Sequence, residues 1–449
     1  MTRTRAEAVW EALPPELRGV VERLASSADE QAWGIVLVGG PVRDFLLERP
    51  LRDVDLLVEP PPGASGGARS LRALVAAAQL EKARLVLHAR FRTAKLELQE
   101  GAIDLATART EAYERSGALP TVRPGTLEED LRRRDFTVNA LALPLNSTAR
   151  RGRPALVDPG GGLEDLRAGV LRVFHRRSFH DDPTRALRAA RLGPRLGMRL
   201  GRGARAALRD AIRDGAFGAV SGERYRAEVV RLFDDARLGM DPARALRALE
   251  AWHVLPALEP GLSLPAGQAT ALRRLGRFLA SPPAGLERAR PWLAGLMVWL
   301  APLEAGVRRR SLARLAIRGE AGRRVRAFPA ARARWLRGLA RSRGRGEAFR
   351  VLRDARDEEL LALAAVAEPA PRRRVLRHAG EDRQLGLPVD GRDLLALGLR
   401  GPEVGRALER IRVAVLDRAV RSREEALALA AEMAASPARR RGTARRGRR

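Results

Sequence analysis

The sequence predicts an α+β protein in which an N-terminal mixed α/β head is followed by an all-α neck, body and tail. Two observations support this prediction. The first 165 residues alternate short β-rich runs with helical segments and loops rich in glycine and proline. From about Asp182 onward, Leu, Ala and Arg recur at helical spacing, and proline and glycine interrupt the pattern. A chain of 449 residues exceeds what one small core organises, so several domains are expected.

The elements of the head can be placed in chain order. Short apolar runs predict strands at Ile35–Val38, Val54–Val58, Arg84–His88, Lys95–Leu98 and Ala102–Ala106, and helical patterns predict helices at Val42–Leu47 and Arg69–Leu80. We place the head at residues 1–165, the neck at 166–240, the body at 241–370 and the tail at 371–435. Residues 436–449 combine proline, small residues and arginines, which predicts a disordered basic C-terminus.

The charge of the chain favours a polyanionic partner. The formal net charge is +30, and neutralising phosphates releases counterions in proportion to the number of cations presented. Lys82 and Lys95 are the only lysines among 84 basic residues, so a general compositional bias toward arginine also accounts for the charge. Charge therefore favours nucleic acid but does not decide the chemistry.

Other features of composition exclude several classes of site. The chain has no cysteine, which excludes disulfides, thiolate zinc sites and a cysteine nucleophile, and which fits a reducing compartment. The N-terminus has no apolar signal segment, and the most apolar stretch, Pro291–Leu303, is too short to cross a bilayer. We therefore expect a cytoplasmic protein without a membrane partner.

Two aspartates in the head have the spacing of a metal site. Asp53 and Asp55 lie two apart at the start of a predicted strand, so their side chains point to the same face. Phosphoryl transfer uses divalent ions to neutralise phosphate charge and activate a hydroxyl. Mg²⁺ prefers carboxylate and phosphate oxygens, and the site offers no histidine or cysteine. The pair therefore predicts a Mg²⁺ site, although an isolated D-x-D is common on protein surfaces.

A glycine turn precedes this pair. The predicted strand Ile35–Val38 runs into Gly39-Gly40, and glycines let a backbone approach a phosphate closely. The next residues begin a helix, whose N-terminus favours anions, and Arg43 adds a positive charge. The turn predicts a triphosphate site beside the carboxylates.

The combined motif, Gly39-Gly40-Pro41-Val42-Arg43-Asp44 followed by Asp53-Val54-Asp55, resembles the polymerase-β nucleotidyltransferase superfamily. Two further segments, Arg132 to Ala140 (R-R-R-D-F-T-V-N-A) and His180 to Arg191 (H-D-D-P-T-R-A-L-R-A-A-R), are similar to bacterial class II tRNA nucleotidyltransferases and their poly(A) polymerase relatives. The resemblance implies a template-independent enzyme that adds C and/or A to the 3′ end of tRNA. CTP and ATP would be its substrates, pyrophosphate its product and two Mg²⁺ ions its cofactor.

The resemblance also implies site residues. Asp53 and Asp55 would bind the metal ions and, with Asp104, form the catalytic set; a solvent-facing aspartate on an edge strand is the alternative for Asp104. The implied nucleotide-binding residues are Gly40, Arg43, Arg134, Asp135, Asn139, Asp182, Arg185, Arg188 and Arg191. By helical rotation, Arg188 shares the face of Arg185, whereas Arg191 lies roughly on the far side.

Asp182 and Arg185 could read a base without a template. They are three apart, hence neighbours on the first helical turn. A carboxylate accepts from the amino group of cytosine or adenine, and an arginine donates to the adjacent ring nitrogen or carbonyl. Uracil would place an oxygen opposite the carboxylate, and unpaired polar groups cost about 1–3 kcal/mol each. The alternative is an ordinary helix start with Asp182 as its N-cap.

Three other functions remain open from the sequence. A related enzyme could add only CC or only A, and a poly(A) polymerase would share the same chemistry. A noncatalytic RNA-binding protein would keep the scaffold without the reaction, although the intact Asp53, Asp55, Arg134, Asp182 and Arg185 argue against it. The expected partners are the tRNA acceptor arm and nucleoside triphosphates, and no DNA is expected.

Overall fold

A computed structural model describes residues 5–61, 66–80, 83–118, 120–152 and 155–435. The C-terminus predicted to be disordered, residues 436–449, lies outside them. The chain divides into two compact units, Met1–Tyr225 with Ala248–Leu258, and Arg226–Arg247 with Glu259–Arg449. The predicted head and neck thus fall largely in the first unit, and the finer domain boundaries stay predictions.

The first unit is built on a six-stranded mixed sheet with the order β3-β4-β5-β2-β1-β8. Its strands are β1 Gly34–Val38, β2 Val54–Glu59, β3 Arg84–His88, β4 Thr93–Glu97, β5 Ala102–Thr107 and β8 Ala142–Pro144. β2 and β5 are parallel, and the other neighbours are antiparallel. All five predicted strands of the head are present, within two residues at each end.

Apolar residues fix the two faces of this sheet. Helices α2 Pro15–Glu30 and α4 Ala68–Ala77 pack together and against the sheet, with α4 lying along β3, β4 and β5. Val36, Val38 and Leu57 form a core on one face with Leu127 and Leu131 of helix α5, Leu127–Arg132. The strand β2, which carries the predicted carboxylate Asp55, is therefore anchored in a packed core through Leu57.

The structure contains elements that the sequence did not predict. A hairpin of β6 Arg109–Ala112 and β7 Thr121–Pro124 lies in a stretch of polar residues without apolar alternation. The Thr126–Glu129 capping box begins α5 Leu127–Arg132. Two-residue strands, β9 Val170–Leu171 and β10 Arg199–Leu200, pair in the otherwise helical neck.

The remaining elements of the first unit are helical. They are α1 Arg5–Ala12, α3 Gly40–Leu46, α6 Ser147–Arg150, α7 Gly162–Ala168, α8 Ser178–Asp181, α9 Thr184–Leu196, α10 Arg202–Arg213, α13 Val254–Leu258 and the first part of α11 Gly222–Asp234. α9 carries the predicted base-reading segment, and it begins at Thr184 because Asp182 is extended.

The second unit is helical throughout its described part, which confirms the predicted α+β class of the chain. It comprises α12 Pro242–Ala251 in part, α14 Gln268–Ala280, α15 Pro291–Leu300, α16 Ala305–Arg314, α17 Gly319–Arg341, α18 Arg345–Leu352, α19 Asp357–Val366, α20 Pro369–Arg377, α21 Gly391–Ala396, α22 Pro402–Leu416 and α23 Arg423–Ala435. The apolar α15 is buried against α14, α17 and α19. No helix of the described residues is both long and apolar enough to cross a membrane.

Candidate functional site

The chain leaves β1 through a turn that only glycine fits. Gly39 has a φ of +77°, which L side chains rarely adopt, and α3 begins at Gly40. A β-carbon at Gly39 would lie 2.6 Å from Nη1 of Arg134. Because α3 has only seven residues, we assign most of the positive potential here to arginine side chains.

The predicted carboxylates lie side by side on the sheet. Asp55 and Asp104 are direct partners in the parallel register of β2 and β5, so their side chains stand on the same face. Asp53 is exposed and comes one residue before β2 begins at Val54. β5 lies between β4 and β2, which excludes the edge-strand alternative for Asp104.

The negative charges of these carboxylates repel one another. Burial, and after it the negative charge of Asp104, raises the pKa of the Asp55 carboxyl to about 6. Neither Asp53, Asp55 nor Asp104 has a hydrogen bond or ion pair to another described residue. The positive charges of Arg134 and Arg43 offset this effect only in part, and carboxylates at such close range favour a bound cation.

The donor set fits Mg²⁺ that shares its ligands with a substrate. In the described part of the chain, no group of three or more His, Asp or Glu side chains could hold a metal ion alone. Mg²⁺ commonly binds one or two carboxylates together with phosphate oxygens and water. The arrangement of Asp53, Asp55 and Asp104 therefore suits an ion that arrives with a triphosphate.

A ring of hydrogen bonds joins α3, the 3₁₀ turn Thr137–Asn139 and α9. Nη1 of the buried Arg43 donates to Oδ1 of Asn139 at 2.5 Å, and Nδ2 of Asn139 donates to Oδ1 of Asp135 at 2.9 Å. Nε of Arg188 donates to Oδ2 of Asp135 at 2.7 Å. Asp44 closes the ring, since it accepts from Arg43 at 2.8 Å and from Arg195 of α9 at 3.3 Å.

The ring of hydrogen bonds keeps Asp135 ionised and engages both of its carboxylate oxygens. Burial raises the pKa of Asp135, but the charge of Arg188 and hydrogen bonds from Asn139 and Arg188 outweigh it and hold the pKa at about 2. Its Oδ1 also accepts from the backbone N–H of Phe136 at 2.8 Å. Asp135 therefore orients Asn139 and Arg188 in this structure.

Arg134 is oriented by a buried carboxylate. Asp130 is fully buried, and its Oδ2 accepts from Nη2 of Arg134 at 3.2 Å, while its Oδ1 accepts from Arg133 at 2.6 Å. The two arginines share one acidic anchor on α5. As a result, the guanidinium of Arg134 lies over the Gly39 turn.

Asp182 and Arg185 lie at one cavity but are not paired with each other. Oδ1 of Asp182 accepts from the backbone N–H of Thr184 at 3.0 Å, in the manner of an N-cap, and lies 2.8 Å from Nη2 of Arg224. Arg185 is only 6% exposed, and it donates to Oγ of Ser178 at 2.6 Å and to the carbonyl of Arg133 at 2.9 Å. Both side chains are therefore held in fixed positions.

Many of the side chains described above line one cavity of about 460 Å³. Its walls include seven arginines and four carboxylates among the described residues. They are Arg43, Arg133, Arg134, Arg185, Arg188, Arg191 and Arg195 with Asp55, Glu111, Asp135 and Asp182. Gly40, Tyr113, Asn139 and Leu192 complete the lining. The positive excess suits a triphosphate, and the volume is in the range of small-molecule sites.

The structure brings together most of the predicted site residues. All nine predicted nucleotide-binding residues line the cavity, including Arg191, which rotation alone placed roughly on the far side. Asp55 also lines the cavity, whereas Asp53 and Asp104 do not. Asp104 instead lines a neighbouring cavity that shares Asp55 and Arg134 with the first.

Several lining residues were not predicted. Glu111 and Tyr113 come from the unpredicted β6–β7 hairpin and the loop after β6, and Tyr113 donates to Glu111 at 2.9 Å. Arg195 lies four residues after Arg191 on α9, so continuation of the helical spacing could have identified it. Arg224 of α11 does not line the cavity but contacts Asp182, and no local pattern in the sequence indicates that contact.

Residues 35–172 match the family described as the poly A polymerase head domain. A CC-adding tRNA nucleotidyltransferase of Deinococcus radiodurans is 42% identical over 193 residues, which are 43% of this chain and 48% of that protein. An A-adding tRNA nucleotidyltransferase of Halalkalibacterium halodurans is 36% identical over 259 residues, 57% of each protein. The matched regions thus span about half the length of these curated relatives.

The fold is similar over a longer range. A solved structure of a CCA-adding enzyme in an apo form matches with a TM-score of 0.75 and 27% sequence identity. The match covers 95% of this chain and 98% of that one. The helical part beyond the head therefore shares its fold with that enzyme.

Proposed function

We propose, from the match of residues 35–172 to the poly A polymerase head-domain family, that this chain is a template-independent tRNA nucleotidyltransferase. It adds C and A to the 3′ end of tRNA, with CTP and ATP as substrates and pyrophosphate as product. The observation that carries the proposal is that one cavity is lined by Asp182, Asp55 and seven arginines, Arg185 among them. Base recognition, triphosphate binding and a metal-binding carboxylate are thereby joined in one site.

The arginines of this cavity bind and orient the triphosphate. Arg43 and Arg188 are held by the hydrogen-bond ring through Asn139 and Asp135, and Arg134 is held by Asp130. Fixed donors lose little freedom when phosphate binds, so the substrate is oriented at low entropic cost.

Asp53 and Asp55 are the residues that would hold Mg²⁺, and Asp104 lies beside Asp55 as the third catalytic carboxylate. When bound, Mg²⁺ neutralises phosphate charge and lowers the pKa of the attacking hydroxyl. In the transfer, the 3′ oxygen of the RNA forms a bond to the α-phosphorus, the bond to pyrophosphate breaks, and the hydroxyl proton leaves through Asp104 to solvent. Asp104 is the exposed member of the pair and can exchange that proton with water.

Asp182 and Arg185 select the base. Oδ1 of Asp182 is engaged by Thr184 and Arg224, so Oδ2 is the oxygen directed to the amino group of cytosine or adenine. Uracil and guanine carry a carbonyl oxygen at that place, which would face the carboxylate. Leaving such groups unpaired in a closed site gives discrimination of about 10²-fold or more.

Pyrophosphate release tests this proposal. The chain is incubated with Mg²⁺, CTP and a tRNA that ends at the discriminator base, and a short poly(A) RNA serves as the alternative acceptor. We expect release with CTP on the tRNA and none when Mg²⁺ is chelated. Release only with ATP on poly(A) would indicate a poly(A) polymerase. Absence of release under these conditions, and also with ATP on a tRNA that ends at CC, would favour a noncatalytic RNA-binding protein.

A further inference from the structure

A cavity of about 480 Å³ lies in the head, at the end of the sheet opposite to the predicted catalytic carboxylates. Gly34 begins β1 and pairs with Glu59 at the end of β2, and both residues line this cavity. The strand positions from Asp55 to Glu59 extend over roughly 13 Å. Among the described residues, the cavity shares no lining residue with the nucleotide cavity or with the cavity at Asp104. We call it the distal cavity.

Proline rings and one arginine form walls of the distal cavity. Pro60, Pro61 and Pro124 provide apolar surface, and Arg92 is the one basic side chain among the described lining residues. Glu59 is the one acidic side chain among them, and its Oε1 accepts from a backbone N–H of α5 at 2.7 Å. The acidic group is therefore engaged by the backbone, and the cationic group decides which ligand fits.

The positive charge of Arg92 has no counter-charge in the described part of the chain. The side chain makes no hydrogen bond and no ion pair there, although its Nε is buried. Burial lowers the pKa of the Arg92 guanidinium, and no carboxylate charge raises it again. A partly buried guanidinium without a counter-charge favours a bound anion.

The backbone at Arg92 adopts a conformation that favours glycine. Its φ is +54°, in the left-handed region, between the 3₁₀ turn Ala89–Phe91 and β4. A residue other than glycine is strained there, and strain of this kind is concentrated at functional sites. The guanidinium lies against the start of α4, since a β-carbon at Gly67 would lie 3.3 Å from its Nη1. The arginine gains no partner within the described chain in exchange for the strain, which points to a ligand.

The start of α4 adds positive charge instead of neutralising Arg92. Gly67 is the N-cap of α4 and provides no side-chain cap, and the first turn contains Arg69 and no acidic residue. The N-terminus of a helix also carries a partial positive charge. Positive charge from several sources without a counter-charge suits a doubly charged phosphate better than a singly charged carboxylate.

We propose that the distal cavity binds a phosphate group, which the guanidinium of Arg92 holds while the proline rings contact the organic part of the ligand. The phosphate is carried either by a small phosphorylated compound or by the RNA backbone. At about 480 Å³ the distal cavity is as large as the nucleotide cavity of about 460 Å³, so it has room for more than the phosphate itself. The proposal does not depend on the proposed function, because the two cavities have no lining residue in common among the described residues.

Thermal unfolding in inorganic phosphate tests the proposal, with acetate at the same ionic strength as the reference anion. The arginines of the nucleotide cavity also bind phosphate, so the informative quantity is the difference between the wild type and Arg92→Ala. We expect phosphate to raise the thermal midpoint of the wild type by about 3 °C more than that of the variant, and acetate to affect both equally. Equal responses of the two chains to phosphate would overturn the proposal.

Two variants control for backbone strain and for net charge. Arg92→Gly removes the strain together with the charge, so in acetate it should be at least as stable as the wild type while losing the same part of the response to phosphate. Arg72→Ala removes an exposed charge from a later turn of α4 and should respond to phosphate like the wild type. An equally reduced response in Arg72→Ala would ascribe the effect to net charge and overturn the proposal.

Two binding measurements, with CMP and with a tRNA lacking CCA, identify the carrier of the phosphate. For a small phosphorylated compound, calorimetry should show that Arg92→Ala binds one CMP fewer than the wild type, while its Kd for the tRNA is unchanged. For the RNA backbone, the Kd for the tRNA should rise about fivefold in the variant, and the salt dependence of binding should weaken by about one phosphate contact. If neither measurement changes while the response to inorganic phosphate does, the ligand is the free phosphate ion.

Discussion

Arg224 forms an ion pair with Asp182, in which Nη2 of the arginine lies 2.8 Å from Oδ1 of the carboxylate. The same guanidinium donates through Nη1 to the carbonyl of Gly117, in the loop after β6, at 2.9 Å. Both side chains of the pair are largely buried. Arg224 therefore connects the orientation of the predicted base-reading carboxylate with the position of that loop.

Loss of this connection should weaken base selection. We predict that Arg224→Ala raises the KM for CTP and ATP roughly tenfold and lowers the preference for CTP over UTP, since a charge-assisted hydrogen bond contributes about 1.5–3 kcal/mol. Arg231→Ala, which removes an exposed arginine of the same helix, is the control. An unchanged CTP/UTP ratio in Arg224→Ala would contradict the coupling.

Asp182→Asn should change selectivity more than stability. Asparagine still caps the helix start at Thr184, but its amide can donate to a carbonyl oxygen of the base. We predict that incorporation of UMP relative to CMP rises on the order of 10- to 100-fold, while the thermal midpoint changes little. The ratio is measured by competing labelled UTP and CTP. A uniform loss with every nucleotide would mean that Asp182 does not read the base.

Asp55→Asn should separate metal binding from folding. We predict that kcat for CMP addition falls on the order of 10³-fold, because the metal ion would stabilise the charge of the transition state by several kcal/mol less. The variant should keep or raise the thermal midpoint in EDTA at pH 7.5, since it removes repulsion at a carboxyl whose pKa burial and Asp104 raise to about 6. Mg²⁺ with CTP should raise the midpoint of the wild type but not of the variant.

Gly39→Ala and Gly40→Ala form a matched pair. Gly39 has a positive φ, and its new β-carbon would displace Arg134, so we predict a loss of about 2 kcal/mol in the free energy of unfolding. At Gly40 the β-carbon would meet only the guanidinium of Arg43, with Nη2 at 3.6 Å and Nη1 at 4.0 Å. Both are ordinary contacts, and the stability should change by less than about 0.5 kcal/mol. Urea unfolding compares the two. Equal losses would contradict the account of the turn.

His378 of the second unit should make stability depend on pH. Burial lowers the pKa of His378 to about 4. The imidazole therefore binds a proton more strongly in the unfolded chain than in the folded one. The free energy of unfolding is therefore independent of this group above about pH 6.5 and decreases as the pH falls toward 4. Between pH 7 and 5 we predict that the wild type loses about 2 kcal/mol more than His378→Gln, measured by urea unfolding. Parallel pH profiles would contradict the burial of a neutral histidine.

The sequence predicted the head because its strands are apolar runs bounded by glycine and proline. The β6–β7 hairpin was missed since its residues are polar on both faces, and Asp104 could not be placed because its strand partner is 49 residues away along the chain. A local pattern carries no information on which strands become neighbours. The parallel pairing of Asp55 with Asp104 therefore appeared only in the structure.

The candidate site was predicted where its residues follow one another in a motif. Arg185, Arg188 and Asp182 share one helix start, and their spacing indicated a common face. Glu111 and Arg224 reach the site from segments that are distant along the chain, so no local motif identifies them. The hydrogen bond from Arg188 to Asp135 could not be predicted either, because the two residues are 53 positions apart along the chain.

The most direct test of the central claim is the product of one extension reaction, resolved to single nucleotides. The wild-type chain is given Mg²⁺, all four nucleoside triphosphates and a tRNA that ends at the discriminator base, at C or at CC. The account predicts that only C and A are added, that at most three nucleotides are added and that synthesis then stops. Addition of U or G, a long A tail on any RNA, or full extension by Asp53→Ala/Asp55→Ala would contradict it.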